Sequence, residues 1–246
     1  MLTATTPPPT LPPALSQPIA LAVFDMAGTT IEDTGVVPRA FEAALAAHGL
    51  TTGAQQLDAV RGAAKREAIR TLVCAQRGER GLDALSAAVY ARFVAELDQR
   101  FRAGGARPIA GAREVFDLLR ARGVRIALNT GFDRETQQLV LAAVGWQEGV
   151  ADALICGDDV PAGRPAPHMI HLAMQRTGVT VPQRVLNVGD TVLDLQTAIN
   201  AGCGLSVGVC SGAHSREQLQ QVAHSALLQS VADLPAWLQR VPGALA

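Results

Sequence analysis

The stretch IALAVFDMAGTT, residues 19–30, decides the fold. Residues 19–24 are apolar without a break, residue 25 is a carboxylate, and residues 26–30 turn small and hydroxylated around Met26. A short apolar run closed by turn-forming residues reads as a buried strand that ends in a functional loop. Upstream, residues 1–17 (MLTATTPPPTLPPALSQ) are rich in proline, threonine and alanine, a composition that favours an extended, solvated chain. They are read as a disordered tail outside the fold.

Downstream, residues 38–104 carry no strand pattern. They hold three helical stretches, PRAFEAALAAHG, LDAVRGAAKREAIRTLVCAQ and LDALSAAVYARFVAELDQRF, with apolar residues at helical spacing. From residue 112 helices and strands alternate: AREVFDLLRARG, then VRIALNT, DRETQQLVLAAVG, ALICG, APHMIHLAMQRTG, RVLNVGD, DLQTAINAG and LSVGVCSG. Such alternation predicts an α/β fold with a doubly wound parallel sheet. The helical segment is then an insertion after the first strand, over the carboxyl ends of the strands, where open α/β sheets bind ligands. The expected division is a core of residues 18–35 and 106–246 and a helical cap of 36–105. Segments 33–37, with Gly35, and 103–108, with two glycines and Pro108, read as hinges.

Composition excludes several classes of function. With 21 basic against 22 acidic residues and no long block of one sign, the chain lacks the footprint of a nucleic-acid or membrane-surface binder. No apolar run reaches the roughly 18 residues of a spanning helix, and the stretch before the first strand lacks the basic region and apolar run expected of a signal peptide. The four cysteines, Cys74, Cys156, Cys203 and Cys210, form no Cys-x-x-Cys pair, which favours a reducing compartment. The expected location is the cytoplasm. His168 and His171 lack a third ligand nearby and read as surface residues. Trp146 and Trp237 read as packing residues.

Four segments in chain order suit a phosphoryl-type group: Asp25-Met26-Ala27-Gly28-Thr29-Thr30, Thr130-Gly131, Arg164 in DDVPAGRPAP, and Gly189-Asp190-Thr191-Val192-Leu193-Asp194. Each alone has a plain reading as a turn residue or helix cap. Together they resemble the four motifs of the haloacid dehalogenase superfamily. The resemblance implies Asp25 as nucleophile and Mg2+ held by Asp25, Asp190 and the Ala27 carbonyl, with Asp194 behind them. Thr29 and Thr130 would supply hydroxyl donors, Gly28 and Gly131 close-approaching amides, and Arg164 a permanent positive charge.

Most phosphatases of that superfamily place a second Asp two residues after the nucleophile, as general acid. Here that position is Ala27, a loss worth about 10²- to 10⁴-fold for an alkoxide leaving group. The sequence Asp-x-Ala-Gly-Thr-Thr, the run DDVPAGRP and the stretch Arg61-Gly62-Ala63-Ala64-Lys65 resemble phosphonoacetaldehyde hydrolase. In that family a lysine at the position of Lys65 condenses with the substrate aldehyde, and the iminium accepts electrons as carbon–phosphorus cleavage proceeds. A reference lysine, with pKa about 10.4, is neutral in about one molecule in 2,000 to 3,000 at pH 7, so this chemistry requires desolvation. Gly62 and Phe132 join the implied substrate site. The family pattern has Met, His, Tyr and Cys where this chain has Arg61, Ala68, Phe132 and Gly35. The resemblance implies a small phosphonate or phosphate as substrate and a homodimer through the cap. A phosphatase with another proton donor and a non-catalytic phospho-ligand binder stand as alternatives.

Overall fold

The computed structural model describes residues 12, 14–32, 34–104 and 106–245. The run quoted above forms β1 (Leu21–Asp25), in the interior of a six-stranded sheet. Its companions are β2 (Arg125–Asn129), β3 (Ala153–Ile155), β4 (Val185–Gly189), β5 (Leu205–Val209) and β6 (Ala226–Leu228), in the order β3-β2-β1-β4-β5-β6. Every pairing is parallel. Parallel strands need crossovers, and here helices supply them on both faces.

Five helices fall between β1 and β2, and the first four form the insertion: α1 (Val36–Ala46), α2 (Ala54–Ala59), α3 (Lys65–Arg77) and α4 (Leu82–Arg102). The remainder are α5 (Ala112–Ala121), α6 (Arg134–Ala143), α7 (His168–Thr177), α8 (Val192–Asn200), α9 (Arg216–Leu219) and α10 (Leu234–Leu238). Alternate residues of β1 serve opposite faces. Leu21 and Val23 pack with Met169 and Ile170 of α7, while Ala22 and Phe24 join the larger core with Phe116 of α5. The rings of Phe24 and Phe116 lie 5.0 Å apart. Burial of both faces explains why the run is continuously apolar rather than alternating.

The α/β class and parallel sheet follow the sequence reading, with two differences. The stretch 57–76, expected as one helix, is broken: α2 ends at Ala59 and α3 starts at Lys65. Gly62 between them has φ +81, a left-handed conformation that interrupts a helix and favours glycine. The sheet also gains β6, whose three residues are too few for periodicity to signal.

Within the insertion, the apolar faces of α1, α3 and α4 meet, with Phe41 and Phe93 rings 4.5 Å apart. The two connecting segments are hydrogen-bonded to each other: Glu32 N–H donates to the Arg107 carbonyl (2.8 Å) and Ile109 N–H to that of Thr30 (2.9 Å). Asp33 and Gly105, within the expected hinges, lie outside the described residues, as does most of the expected tail of 1–17. Leu15, in the described part of that stretch, packs on the core and donates its amide to the Pro242 carbonyl at 3.0 Å. No helix among the described residues is long and apolar enough to cross a membrane.

Candidate active site

The register of the sheet brings the motif residues together. Asp25 ends β1 beside Asn129 at the end of β2, and β4 ends at Gly189, one residue before Asp190. Asp190 and Asp194 flank the start of α8, whose cap Thr191 accepts from the Asp194 amide while Asp194 Oδ2 accepts from the Thr191 amide at 3.0 Å and hydroxyl at 2.5 Å. This reciprocal capping turns Asp194 back toward the sheet. Asp25, Asp190 and Asp194 are all buried, and each offers an oxygen within 4.8 Å of the others.

Three carboxylates this close repel one another, and the shifts fall on Asp190 and Asp194. Burial, followed by the charges of Asp25 and Asp194, raises the Asp190 carboxyl well above the usual range, against hydrogen bonds from the Ala213 amide (2.7 Å) and the Thr29 hydroxyl (3.0 Å). Burial likewise raises Asp194; Arg164 opposes, Asp25 adds, and the result is about 6. An all-oxygen cluster that resists full ionisation by itself fits a hard divalent cation.

Arg164 is the internal countercharge. Its Nη2 donates to Asp25 Oδ1 at 2.5 Å and Asn129 Oδ1 at 2.8 Å, and its Nη1 lies 3.0 Å from Asp194 Oδ1. Burial alone would lower its pKa, but Asp194, Asp25 and Asp190 outweigh burial and keep the guanidinium charged.

A cleft opens above these groups. Its floor includes Asp25, Ala27, Thr130, Gly131, Arg164 and Asp190. The insertion supplies its roof: Val37, Pro38 and Phe41 of α1, Leu57 of α2, and Val60, Arg61, Gly62 and Lys65 beyond it. Lys65 is the single lysine in a chain with 20 arginines. It begins α3, its amide donates to the Gly131 carbonyl at 3.0 Å, and its Nζ stands 5.4 Å from the centroid of Phe132. The roof therefore carries one primary amine over the carboxylate floor.

Of the residues singled out from sequence, Asp25, Ala27, Gly62, Lys65, Thr130, Gly131, Phe132, Arg164 and Asp190 line this cleft. Asp194 stands behind Arg164. Two occupy other places than expected. Thr29 is fully buried and spends its hydroxyl on Asp190, and the Gly28 amide, expected to meet substrate oxygens, donates to the Ile31 carbonyl at 2.7 Å. The tight turn 26–31 consumes both donors. Among the four altered positions, Arg61 and Phe132 line the cleft, Ala68 is buried in the insertion, and Gly35 caps α1. Arg61 pairs with Asp58 at 2.8 Å.

Sequence reasoning missed Asn129, whose signal was a polar residue closing an apolar strand. It also missed His214, whose Nδ1 accepts from the Val192 amide at 3.0 Å and whose own amide donates to the Asp190 carbonyl at 3.3 Å. Burial lowers the pKa of that imidazole. Nothing in the local sequence marks it.

A parallel α/β sheet with a buried acidic cluster at its carboxyl edge and a helical roof defines an α/β protein whose cleft lies where open α/β sheets bind their ligands. Residues 19–202 match the haloacid dehalogenase-like hydrolases, and the chain belongs to that family. The phosphonoacetaldehyde hydrolase of Bacillus cereus (strain B4264) is 32% identical over 204 residues, covering 79% of this chain and 76% of its own. That of Nitratidesulfovibrio vulgaris is 31% identical over 195 residues, covering 75% and 69%. A phosphonoacetaldehyde hydrolase-like protein from Oleispira antarctica shares the fold with a TM-score of 0.79 at 23% identity, over 98% of this chain and 96% of that one. A hydrolase from Pseudomonas syringae gives a TM-score of 0.81 at 18% identity, over 91% and 99%.

Proposed function

We propose that this hydrolase cleaves the carbon–phosphorus bond of phosphonoacetaldehyde or a close analogue, through a Schiff base on Lys65 and a phosphorylated Asp25. One observation carries the reading: the chain's single lysine lines the same cleft as Asp25, while the position two residues after the nucleophile is Ala27, which has no proton to give. The identity to phosphonoacetaldehyde hydrolases supports it.

The neutral Lys65 amine adds to the aldehyde and loses water, leaving an iminium on the carbon chain. Asp25 then attacks phosphorus, the carbon–phosphorus bond breaks, and its electron pair enters the iminium to give an enamine. No oxygen leaves at this step, so the absence of an acid at Ala27 carries no penalty. Water takes the phosphoryl group from Asp25 as phosphate. The enamine takes a proton on carbon, and water releases acetaldehyde and Lys65. The sum is one water consumed for one phosphate and one acetaldehyde formed.

Each residue has a task in this scheme. Arg164, itself held by Asn129 Oδ1, fixes the Asp25 carboxylate and stands by to meet phosphonate oxygens. Thr130 and Gly131 border the same oxygens, while Phe132 gives Lys65 an apolar neighbour that disfavours water at the amine. The acidic cluster fits Mg2+, held by Asp25, Asp190 and the Ala27 carbonyl with Asp194 behind, which would offset the negative charge of substrate and nucleophile.

Borohydride added with phosphonoacetaldehyde should trap a covalent adduct, and peptide mass mapping should place it on Lys65. Phosphate release should require a divalent cation. Full turnover by Lys65→Arg would overturn the reading, and so would a panel in which phosphate esters outpace phosphonoaldehydes.

A further inference from the structure

Beside the cleft, the insertion meets the core along a seam built on three consecutive residues, Gly131, Phe132 and Asp133. The Gly131 carbonyl accepts from the Lys65 amide. The Phe132 ring meets Phe101 of α4 edge-on, with centroids 6.5 Å apart. Asp133 caps α6 with Oδ1, which accepts from the Thr136 amide at 2.8 Å, and its Oδ2 accepts from the Tyr90 hydroxyl of α4 at 2.5 Å. The other face of this contact belongs to α3: the Arg66 guanidinium carbon sits 3.9 Å from the centroid of the Tyr90 ring. Tyr90 is 6% exposed and thus links three elements at once, the residue next to Lys65, the helix behind it and the loop that borders the phosphoryl site.

The electrostatics agree with a strong contact. Burial, then the bond to Asp133, holds the Tyr90 hydroxyl protonated far above its ordinary range. Burial pushes Asp133 up, but the bonds from Tyr90 and Thr136, with Arg66 nearby, outweigh it and keep the carboxylate ionised. The donor therefore stays a donor and the acceptor stays charged across the neutral range. Hydrogen bonds to charged acceptors are the strong ones. None of these groups lines the cleft at Asp25, so the proposed chemistry does not consume them.

We propose that Tyr90 is a positioning residue: bonded to Asp133 and stacked under Arg66, it holds the first turn of α3 against the loop 131–133 so that Lys65 reaches an aldehyde bound over Asp25. The proposal rests on the Schiff-base reading and adds a residue that neither the sequence motifs nor the cleft lining contains.

The test compares Tyr90→Phe, which keeps the ring and the Arg66 stack but removes the hydroxyl, with Asp133→Ser, which keeps a capping oxygen but cannot reach Tyr90. Adduct formation on Lys65 is timed with phosphonoacetaldehyde and borohydride, alongside kcat, KM and the melting midpoint. Loss of a bond to a charged partner shifts the seated position of α3 by about 10- to 100-fold. We expect each single variant to form the adduct about 5- to 50-fold more slowly, with the loss in kcat rather than KM. The double variant should be no slower than the slower single, because both remove one bond. A residue with only a structural role would move the melting midpoint and leave the adduct rate of the folded enzyme unchanged, and that result overturns the proposal. So does a double variant whose losses multiply. If the unaltered chain forms no adduct, the Schiff-base reading itself fails and Tyr90 loses its role with it.

Discussion

Gly131→Ala tests how tightly the roof is seated. A Cβ on Gly131 would stand 2.5 Å from the Ala63 carbonyl oxygen and 3.1 Å from the Ala63 carbonyl carbon, both main-chain atoms that cannot rotate away. Close carbon–oxygen contacts settle at about 3.3–3.6 Å, so the gap between insertion and loop must widen by roughly 1 Å. Lys65 follows Ala63 by two residues and moves with it. A misplacement of that size costs about 10²-fold where two groups must meet. Overpacking costs stability about 1–3 kcal/mol, which for a chain of this length lowers the melting midpoint by roughly 2–12 °C. The expected variant is folded, melts slightly earlier, and loses about 100-fold in phosphate release and in the rate of borohydride-trapped adduct. The companion Gly163→Ala meets the Ala64 Cβ at 2.9 Å and the Ala64 amide nitrogen at 3.3 Å, both fixed by the main chain, and should displace the residue before Lys65 with a comparable loss. Turnover by Gly131→Ala within about twofold of the unaltered chain would refute the claim that this contact sets the position of Lys65.

Arg164→Met leaves Asp25 and Asp194 without their shared cation; turnover should fall by at least about 10²-fold, and unchanged steady-state phosphate release would refute that. Metal and pH are linked through Asp190 and Asp194, whose folded values lie above those of an unfolded aspartate, near 6 for Asp194. In chelator the folded chain keeps protons that the unfolded chain releases, so this pair's contribution to stability falls as pH rises from about 4 through 6. Magnesium binding needs both groups ionised, so the magnesium-induced rise in melting midpoint should be larger at pH 8 than at pH 5.5; a shift that shrinks with pH counts against the cluster as the metal site. Phe116→Ala removes the partner of Phe24 in the core and should cost about 3–5 kcal/mol in denaturant unfolding, with a value under about 1 kcal/mol contradicting the packing described.

The sheet was legible because its strands are buried on both faces and read as unbroken apolar runs, with helix signals between them. Asp25, Asp190 and Arg164 were legible because each sits in a motif whose chemistry depends on residue type at fixed spacing. What escaped was contact between distant segments. Asn129 and His214 act through geometry that no local pattern encodes, and the Tyr90–Asp133 bond joins residues 43 apart in sequence. The break between α2 and α3 escaped for a different reason. Gly62 belongs to a motif by its sequence, but its left-handed φ comes from the turn that brings it against Thr191, where a Cβ would stand 2.5 Å from the Thr191 hydroxyl oxygen.

The replacement of an acid by Ala27 changes what the insertion must do. An acid two residues after Asp25 would ride on the same tight turn, so its distance from the nucleophile would not depend on the roof. Lys65 instead arrives on α3, and on the reading proposed here its distance from Asp25 depends on how the insertion seats. The contacts around the start of α3 match that demand: main chain to main chain at Gly131, close approaches at Gly62, Gly131 and Gly163 that leave no room for a Cβ, and, from α4 behind it, the Tyr90 bond to Asp133. The first two kinds of contact lie within a few residues of Lys65, whereas α1 supplies the apolar wall of the cleft through Val37, Pro38 and Phe41. Substitutions along 62–66 and 131–133 should therefore cost turnover out of proportion to stability, and substitutions of Val37 or Pro38 should change KM more than kcat. A steady-state series that found the reverse would place rate control away from the seam, in the acidic floor.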